Sequence, residues 1–201
     1  MIKRATVFKK TEERPRCHCS VIQELPNNEL MAIWYAGKSE AHKSVGIMAS
    51  WKKVEKEESA WSEPLLIHKT PDRADGNAII KYFNGKLYMF YNVIMGRFFP
   101  WTKVVLRKKT SEDFGRTWSE SKTVIGKNNK GYTVRNKPII VEGKLIIPTG
   151  QEKILKSTSQ MLITENGEDF EFSEIIKPPK GKCHQPTITE LSSGEILAYL
   201  R

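Results

Sequence analysis

The feature that most constrains this chain is a recurring pair of apolar runs joined by a tight-turn signature. The segments PNNELMAIWYAG (26–37), FNGKLYMFYNV (83–93), VEGKLIIPTG (141–150) and SSGEILAYLR (192–201) each open on turn residues and continue as an apolar run. A second apolar run precedes each: HCSVIQEL (18–25), GNAIIKYF (76–83), NKPIIVE (136–142) and HQPTITEL (184–191). Gly and Asn adopt positive φ cheaply, so each pair reads as a β-hairpin. The residues after the turns, Leu30, Leu87, Leu145 and Ile196, recur at intervals of 57, 58 and 51 positions. Self-similarity at a fixed period is the signature of a repeat architecture.

Between these hairpins lie poorer ones, GIMASWKK with WSEPLLI, KVVLRKKT with WSESKTVI, and QMLITENG with FEFSEIIK. Trp61, Trp118 and Phe170 stand in register there, 57 and 52 apart. The unit is therefore four strands, with an inner pair apolar on both faces and an outer pair that alternates more. A β-propeller blade requires this, because its inner strands are sandwiched between neighbouring blades. No long segment shows helical periodicity, so the expectation is all-β: one incomplete propeller domain over 1–201, with blades near 16–67, 75–125, 133–177 and, in part, 184–201.

Thirty-three Lys and Arg against 23 Asp and Glu give a net charge of +10. The basic residues are scattered in ones and twos among acids, as at Lys9-Lys10, Lys52-Lys53 and Lys108-Lys109. Nucleic acid is therefore not the expected partner, since the blocks of like charge that mark such tails are missing. The 3 Cys cannot build a disulfide framework. No signal-peptide core or membrane-length apolar run is present, so no membrane partner is expected and the default setting is cytoplasmic. Cys17, His18, Cys19, Cys183 and His184 lack the usual Cys-x₂₋₄-Cys spacing of structural zinc, and neither metal nor cofactor is expected. The aromatic and basic stretch GRFFPWTK (96–103) suits either an exposed stacking loop or the cover of a blade edge.

The stretch SEDFGRTWSES (111–121) supplies turn chemistry, with Asp113 as acceptor for nearby backbone N–H groups and Gly115 free to take positive φ. Ser111, Asp113, Gly115, Thr117 and Trp118 match the Asp box of sialidase-like (BNR-repeat) propellers, a structural clasp on the outer strands. HCSVIQELPNNELMAIWYAG followed by Glu40 resembles the first blade of that family. RNKPIIVEGKLIIPTGQE and HQPTITELSSGEILAYLR resemble its third and fourth, so the likeness runs from about Arg16 to Arg201. It implies a six-bladed propeller of which this chain, at about three and a half blades of four-stranded antiparallel sheet, is the N-terminal part.

The resemblance also implies roles. Family sialidases grip the sialic acid carboxylate with three arginines, and use an Asp as acid/base and a Tyr nucleophile paired with a Glu. The first arginine's position holds His18, a weaker and pH-dependent carboxylate partner. The acid/base position falls nearest Glu40. The glutamate and second arginine, 16 apart, fall on Gln185 and Arg201, and Gln185 cannot take a proton. The third arginine and the Tyr belong to later blades, so the chain by itself is expected to be inactive.

Residues at the starts of the inner strands line the mouth of a propeller's channel: Arg16 and His18, Asp75 and Asn77, Arg135 and Asn136, His184 and Gln185. This ring suits an acidic sugar, with Arg135 and Arg201 as carboxylate partners, Asp75 or Glu40 as proton donor, and Glu152, which matches a family glutamate, as a further carboxylate. The expected function is a sialidase-like glycoside hydrolase, or part of one, acting on a terminal acidic sugar of a glycan. The alternative is a non-catalytic glycan-binding or scaffold propeller. Open blade edges are expected to invite self-association.

Overall fold

A computed structural model describes residues 4–54, 60–96, 98–125, 131–155, 157–177 and 181–201. Four antiparallel sheets follow one another along the chain. The first is β1 (Arg16–Leu25), β2 (Glu29–Gly37), β3 (Gly46–Lys53) and β4 (Leu65–His68), in that order. The second, β5 (Ala74–Phe83), β6 (Lys86–Ile94), β7 (Val104–Ser111) and β8 (Lys122–Thr123), repeats it. In the third, the inner position is split into β9 (Tyr132–Val134) and β10 (Ile139–Val141), both paired to β11 (Lys144–Gln151), with β12 (Thr158–Thr164) and β13 (Glu171–Phe172) outside. The fourth is the hairpin β14 (Thr187–Glu190) and β15 (Ile196–Tyr199). This is the four-stranded, sequentially ordered sheet of a propeller blade, as the repeat requires. Among the described residues, no helix is long and apolar enough to cross a membrane.

The inner strands β2, β5, β6 and β11 bury both faces, whereas β1 exposes alternate residues and the hairpin β14–β15 is largely exposed. Met31 and Ile33 of β2, Ile79 and Ile80 of β5, Met89, Phe90 and Tyr91 of β6 and Ile147 of β11 form one core running through three sheets. Truncating such a side chain to Ala typically costs about 3–5 kcal/mol for Phe, because the cavity left behind does not fully collapse. The outer strands are shorter than their sequences suggest: WSEPLLI, WSESKTVI and FEFSEIIK yield only β4, β8 and β13.

The turn from Ser111 to Trp118 closes as a clasp. Asp113 accepts hydrogen bonds from the Thr117 N–H and hydroxyl at 2.8 and 2.6 Å, and Ser111 Oγ accepts the Gly115 N–H at 2.7 Å. Burial alone would raise the Asp113 carboxyl, but the donors from Thr117, Ser111 and Arg116 outweigh it and hold the group at about 2. Gly115 sits at φ 88, and a Cβ there would meet Met31 Sδ at 2.8 Å, so the clasp presses on the preceding sheet. Trp51 donates its indole N–H to Phe114 O at 3.0 Å, and Arg116 pairs with Glu29 at 2.9 Å across the same junction.

A second clasp, which the sequence pattern did not single out, closes the third sheet with Asn166 in the acceptor role. Asn166 Oδ1 receives the N–H groups of Glu168 and Asp169, and Thr164 Oγ1 receives that of Gly167. It docks on the second sheet, where buried Lys108 donates to Gly167 O and pairs with Glu168 at 3.0 Å.

Candidate functional site

The inner strands do not run straight to the channel mouth. In the first sheet, Cys19 and Ser20 face the single residue Trp34, between the pairs His18↔Tyr35 and Val21↔Ile33. In the second, Asn77 and Ala78 face Tyr91 in the same way. In the third, the break between β9 and β10 spans Arg135–Pro138, where Pro138 has no N–H to give the ladder. A bulge re-aims a side chain, and here it does so at one level in successive sheets. Cys19, Asn77 and Gln185 all hold positive φ, at 58, 50 and 53. Non-glycine residues in that region store strain and cluster at functional sites.

Cys19, Asn77, Arg135 and Gln185 fall at corresponding points of the four repeats, 58, 58 and 50 apart. All four line one cleft of about 230 Å³, together with His18, Tyr35, Glu40, Trp101, Glu152 and Arg201. Cys19 Sγ–H donates to Asn77 Oδ1 at 3.2 Å. Burial raises the Cys19 thiol against the pull of Arg135, and raises the Tyr35 phenol as well, so both remain protonated donors at neutral pH. His18 stacks on Tyr35 with ring centres 5.7 Å apart. Glu40 accepts the Trp101 indole N–H at 2.9 Å, and Trp101 lies on Gly76, where a Cβ would meet the ring at 2.7 Å.

On the opposite rim, Arg201 donates to Gln185 Oε1 at 3.3 Å, and reciprocal backbone bonds at 3.0 Å pair Arg201 with His184. The β14–β15 ladder thus carries Arg201 to the site. Glu152 follows β11, with Thr133 Oγ1 at 3.4 Å and His184 Nδ1 at 3.9 Å from Oε1. Burial raises the Glu152 carboxyl, opposed by His184 and Arg201.

Seven of the residues expected at the mouth line this cleft: His18, Glu40, Asn77, Arg135, Glu152, Gln185 and Arg201. Four do not. Arg16 is exposed at the start of β1. Asn136 points back to the chain, donating to Gln185 O and Pro186 O at 3.0 Å. His184 stands behind Glu152 and lines an adjoining cavity. Asp75 is wholly buried, tied to the Thr70 N–H and hydroxyl at 2.7 Å and 3.8 Å from His68, so it has no path to a ligand. Its place beside Asn77 in sequence does not reach the channel, because the bulge begins after Gly76.

Cys19, Tyr35 and Trp101 were not expected in the cleft. The interval of 58 that joins Asn77 to Arg135 also reaches back to Cys19 and would have found it. A larger cavity of about 530 Å³ lies between residues 6–14 and Met48, Trp61 and Pro64, but no two repeats converge on it.

The family model for the BNR repeat-like domain matches residues 28–201. The chain belongs to that family. A search of curated proteins finds no match. Among solved structures, the chain resembles the sialidase of Trypanosoma rangeli in complex with 2,3-difluorosialic acid, at 13% identity and a TM-score of 0.78, over 99% of this chain and 39% of that one. It also resembles the intramolecular trans-sialidase from Ruminococcus gnavus in complex with oseltamivir carboxylate, at 10% identity and a TM-score of 0.74, over 98% of this chain and 68% of that one. A family 117 glycoside hydrolase of Zobellia galactanivorans matches at 13% identity and a TM-score of 0.65, over 98% and 66% of the two chains. These likenesses identify the fold as that of sialidase β-propellers. The chain spans 39% of the length of the T. rangeli enzyme. As a BNR repeat-like chain, it carries the family's repeated inner hairpin and draws its cleft residues from every copy.

Proposed function

We propose that this chain forms the acidic-sugar-binding part of a sialidase-like glycoside hydrolase acting on a terminal acidic sugar of a glycan. One observation carries the reading: corresponding residues of four repeats converge on a single cleft that also holds Arg201 and two carboxylates, Glu40 and Glu152. Arg135 and Arg201 supply the fork-shaped cations that suit a sugar carboxylate. Glu152 is the carboxyl suited to give a proton, because burial raises it and an acid works best with its pKa nearer the operating pH. Tyr35 and Cys19, held protonated, donate hydrogen bonds to sugar hydroxyls. The third arginine and the nucleophile belong, on this reading, to blades outside this chain, and the edge of β15 is where a further strand pairs.

Isothermal titration of the chain with sialic acid and with neutral galactose tests the site. Sialic acid should bind and galactose should not. Arg135→Ala should weaken the complex roughly ten- to a hundredfold, the scale of a charge-assisted hydrogen bond of about 1.5–3 kcal/mol. Equal binding of the two sugars would sink the reading. Gln185 supports a second one, a non-catalytic glycan-binding propeller, since an amide stands where the family pattern has its proton-accepting glutamate. Turnover of a fluorogenic sialoside by the protein as its native source makes it, abolished by Glu152→Gln, would exclude it.

A further inference from the structure

His184 carries a nitrogen with no partner. Among the described residues, nothing hydrogen-bonds its buried Nδ1, which lies 3.9 Å from Glu152 Oε1. A buried polar atom without a bond calls for an explanation. The backbone around it is pinned. The His184 N–H and C=O exchange bonds with Arg201 at 3.0 Å, Cys183 N–H donates to Ser157 O at 3.3 Å, and Gln185 O accepts Asn136 Nδ2 at 3.0 Å. The imidazole is thereby held against the carboxyl. Glu152 has capacity for it: Thr133 Oγ1 donates to the same oxygen at a long 3.4 Å, and a carboxylate oxygen accepts more than one donor. The 3.9 Å gap is too long for a hydrogen bond, but catalytic contacts are often long in the free state and tighten once ligand enters. The charged groups around the ring are Glu152, the Arg201 to which its backbone is bonded, and Lys153 and Lys182 of the adjoining cavity lining, while Arg135 lines the cleft with Glu152. Glu152 is the anion of this group.

We propose that His184 is a positioning residue for Glu152, that the two share one proton, and that entry of an acidic sugar moves this proton onto Glu152. The inference rests on the reading of the polar cleft given above. Burial raises the Glu152 carboxyl, while His184 and, more weakly, Arg201 hold it down. A sugar carboxylate paired with Arg201 offsets that cation's pull. The His184 Nδ1–H bond then breaks as the Glu152 Oε1–H bond forms, leaving a neutral imidazole and a neutral carboxylic acid. Only the proton is transferred, and the pair titrates as a unit. A neutral sugar leaves Arg201 uncompensated and the proton on His184. Glu152 thus becomes the acid of the cleft when an acidic sugar is present, so His184 helps to determine which sugars the site can serve.

The intact chain, ¹³C-labelled at its glutamates, tests this by titration with and without saturating unlabelled sialic acid. Sialic acid should raise the Glu152 midpoint, and its methyl ester, which lacks the charge, should not. His184→Gln keeps the backbone bonds to Arg201 but cannot carry charge, and should raise the midpoint in the sugar-free chain. His184→Lys, which restores a cation, should bring it back down. A merely structural role would not give opposite signs for the two variants. A midpoint unmoved by His184→Gln, or unmoved when sialic acid binds, would overturn the pairing alone. Failure of sialic acid to bind would overturn the reading of the polar cleft and this inference with it.

Discussion

On the proposed reading of the cleft, Glu152 links chemistry to stability at a single residue. Its carboxyl is raised by burial in the folded chain, so folding favours the protonated form. At neutral pH the charged group is therefore a burden on the fold, and the burden lifts as pH falls through the raised value. Glu152→Gln should raise the urea midpoint at pH 7, and the advantage should vanish below the ordinary 4.5. A ¹³C titration of the carboxyl provides the check, and a midpoint at or below 4.5 would contradict it. The same substitution should abolish any proton donation, the usual conflict between stability and function. Asp75 shows where residue-level reading stops. Alternation along a strand places Asp75 and Asn77 on one face, yet the bulge after Gly76 separates them, leaving one in the cleft and the other sealed beside Thr70. Tyr35 and Trp101 were illegible for another reason: they reach the cleft from the second inner strand and from a loop, and no spacing rule connects them to the strand starts.

At the scale of the element, the clasp decides how one blade meets the next. Asp113→Ala removes a charged acceptor serving Thr117 and Ser111, and should lower the unfolding free energy by on the order of 2 kcal/mol. Because Asp113 is held at about 2 against an ordinary 3.8, its contribution is present above 3.8 and fades as pH falls towards 2. Urea melts at pH 7 and pH 2.5 should show the gap between parent and variant narrowing. An unchanged gap would mean that the carboxylate is not what holds the turn. Gly115→Ala should cost more, since it combines strain at φ 88 with a clash against Met31 on the preceding sheet. The inner hairpins were legible because turn residues and doubly apolar runs coincide. The outermost strands β4, β8 and β13 were legible only in part, because they pair over short ladders and side-chain clasps hold the turns before β8 and β13. In the third sheet the clasp sequence TENGEDF is one residue shorter and uses Asn166 for Asp, so the motif hides while the geometry persists.

At the scale of the whole molecule, the junction between the first two sheets carries an acid-sensitive contact. His68 packs on Tyr91 with ring centres 4.5 Å apart, and burial, reinforced by Lys109, Lys69 and Arg107, lowers it from 6.5 to about 4. The unfolded chain takes up that proton first, so the fold should lose stability as pH falls from about 6.5 towards 4. Asp75, itself raised by burial, opposes part of the loss by binding a proton in the folded state. His68→Phe should flatten the decline in melting temperature between pH 7 and pH 5, and an equal decline in both proteins would exclude His68 as its source. The other end of the array has an open ladder. Among the described residues, β15 pairs only with β14, while Leu197 and Tyr199 on it are 36% and 64% exposed. An unpaired apolar edge is a template for another strand. Light scattering on the isolated chain should therefore give a mass above 23.1 kDa that rises with concentration. Leu197→Lys with Tyr199→Lys should restore 23.1 kDa without moving the cleft, since neither residue lines it. A parent chain that stays at 23.1 kDa up to concentrations of hundreds of micromolar would show that the edge is protected by its own twist, with no need of a partner strand.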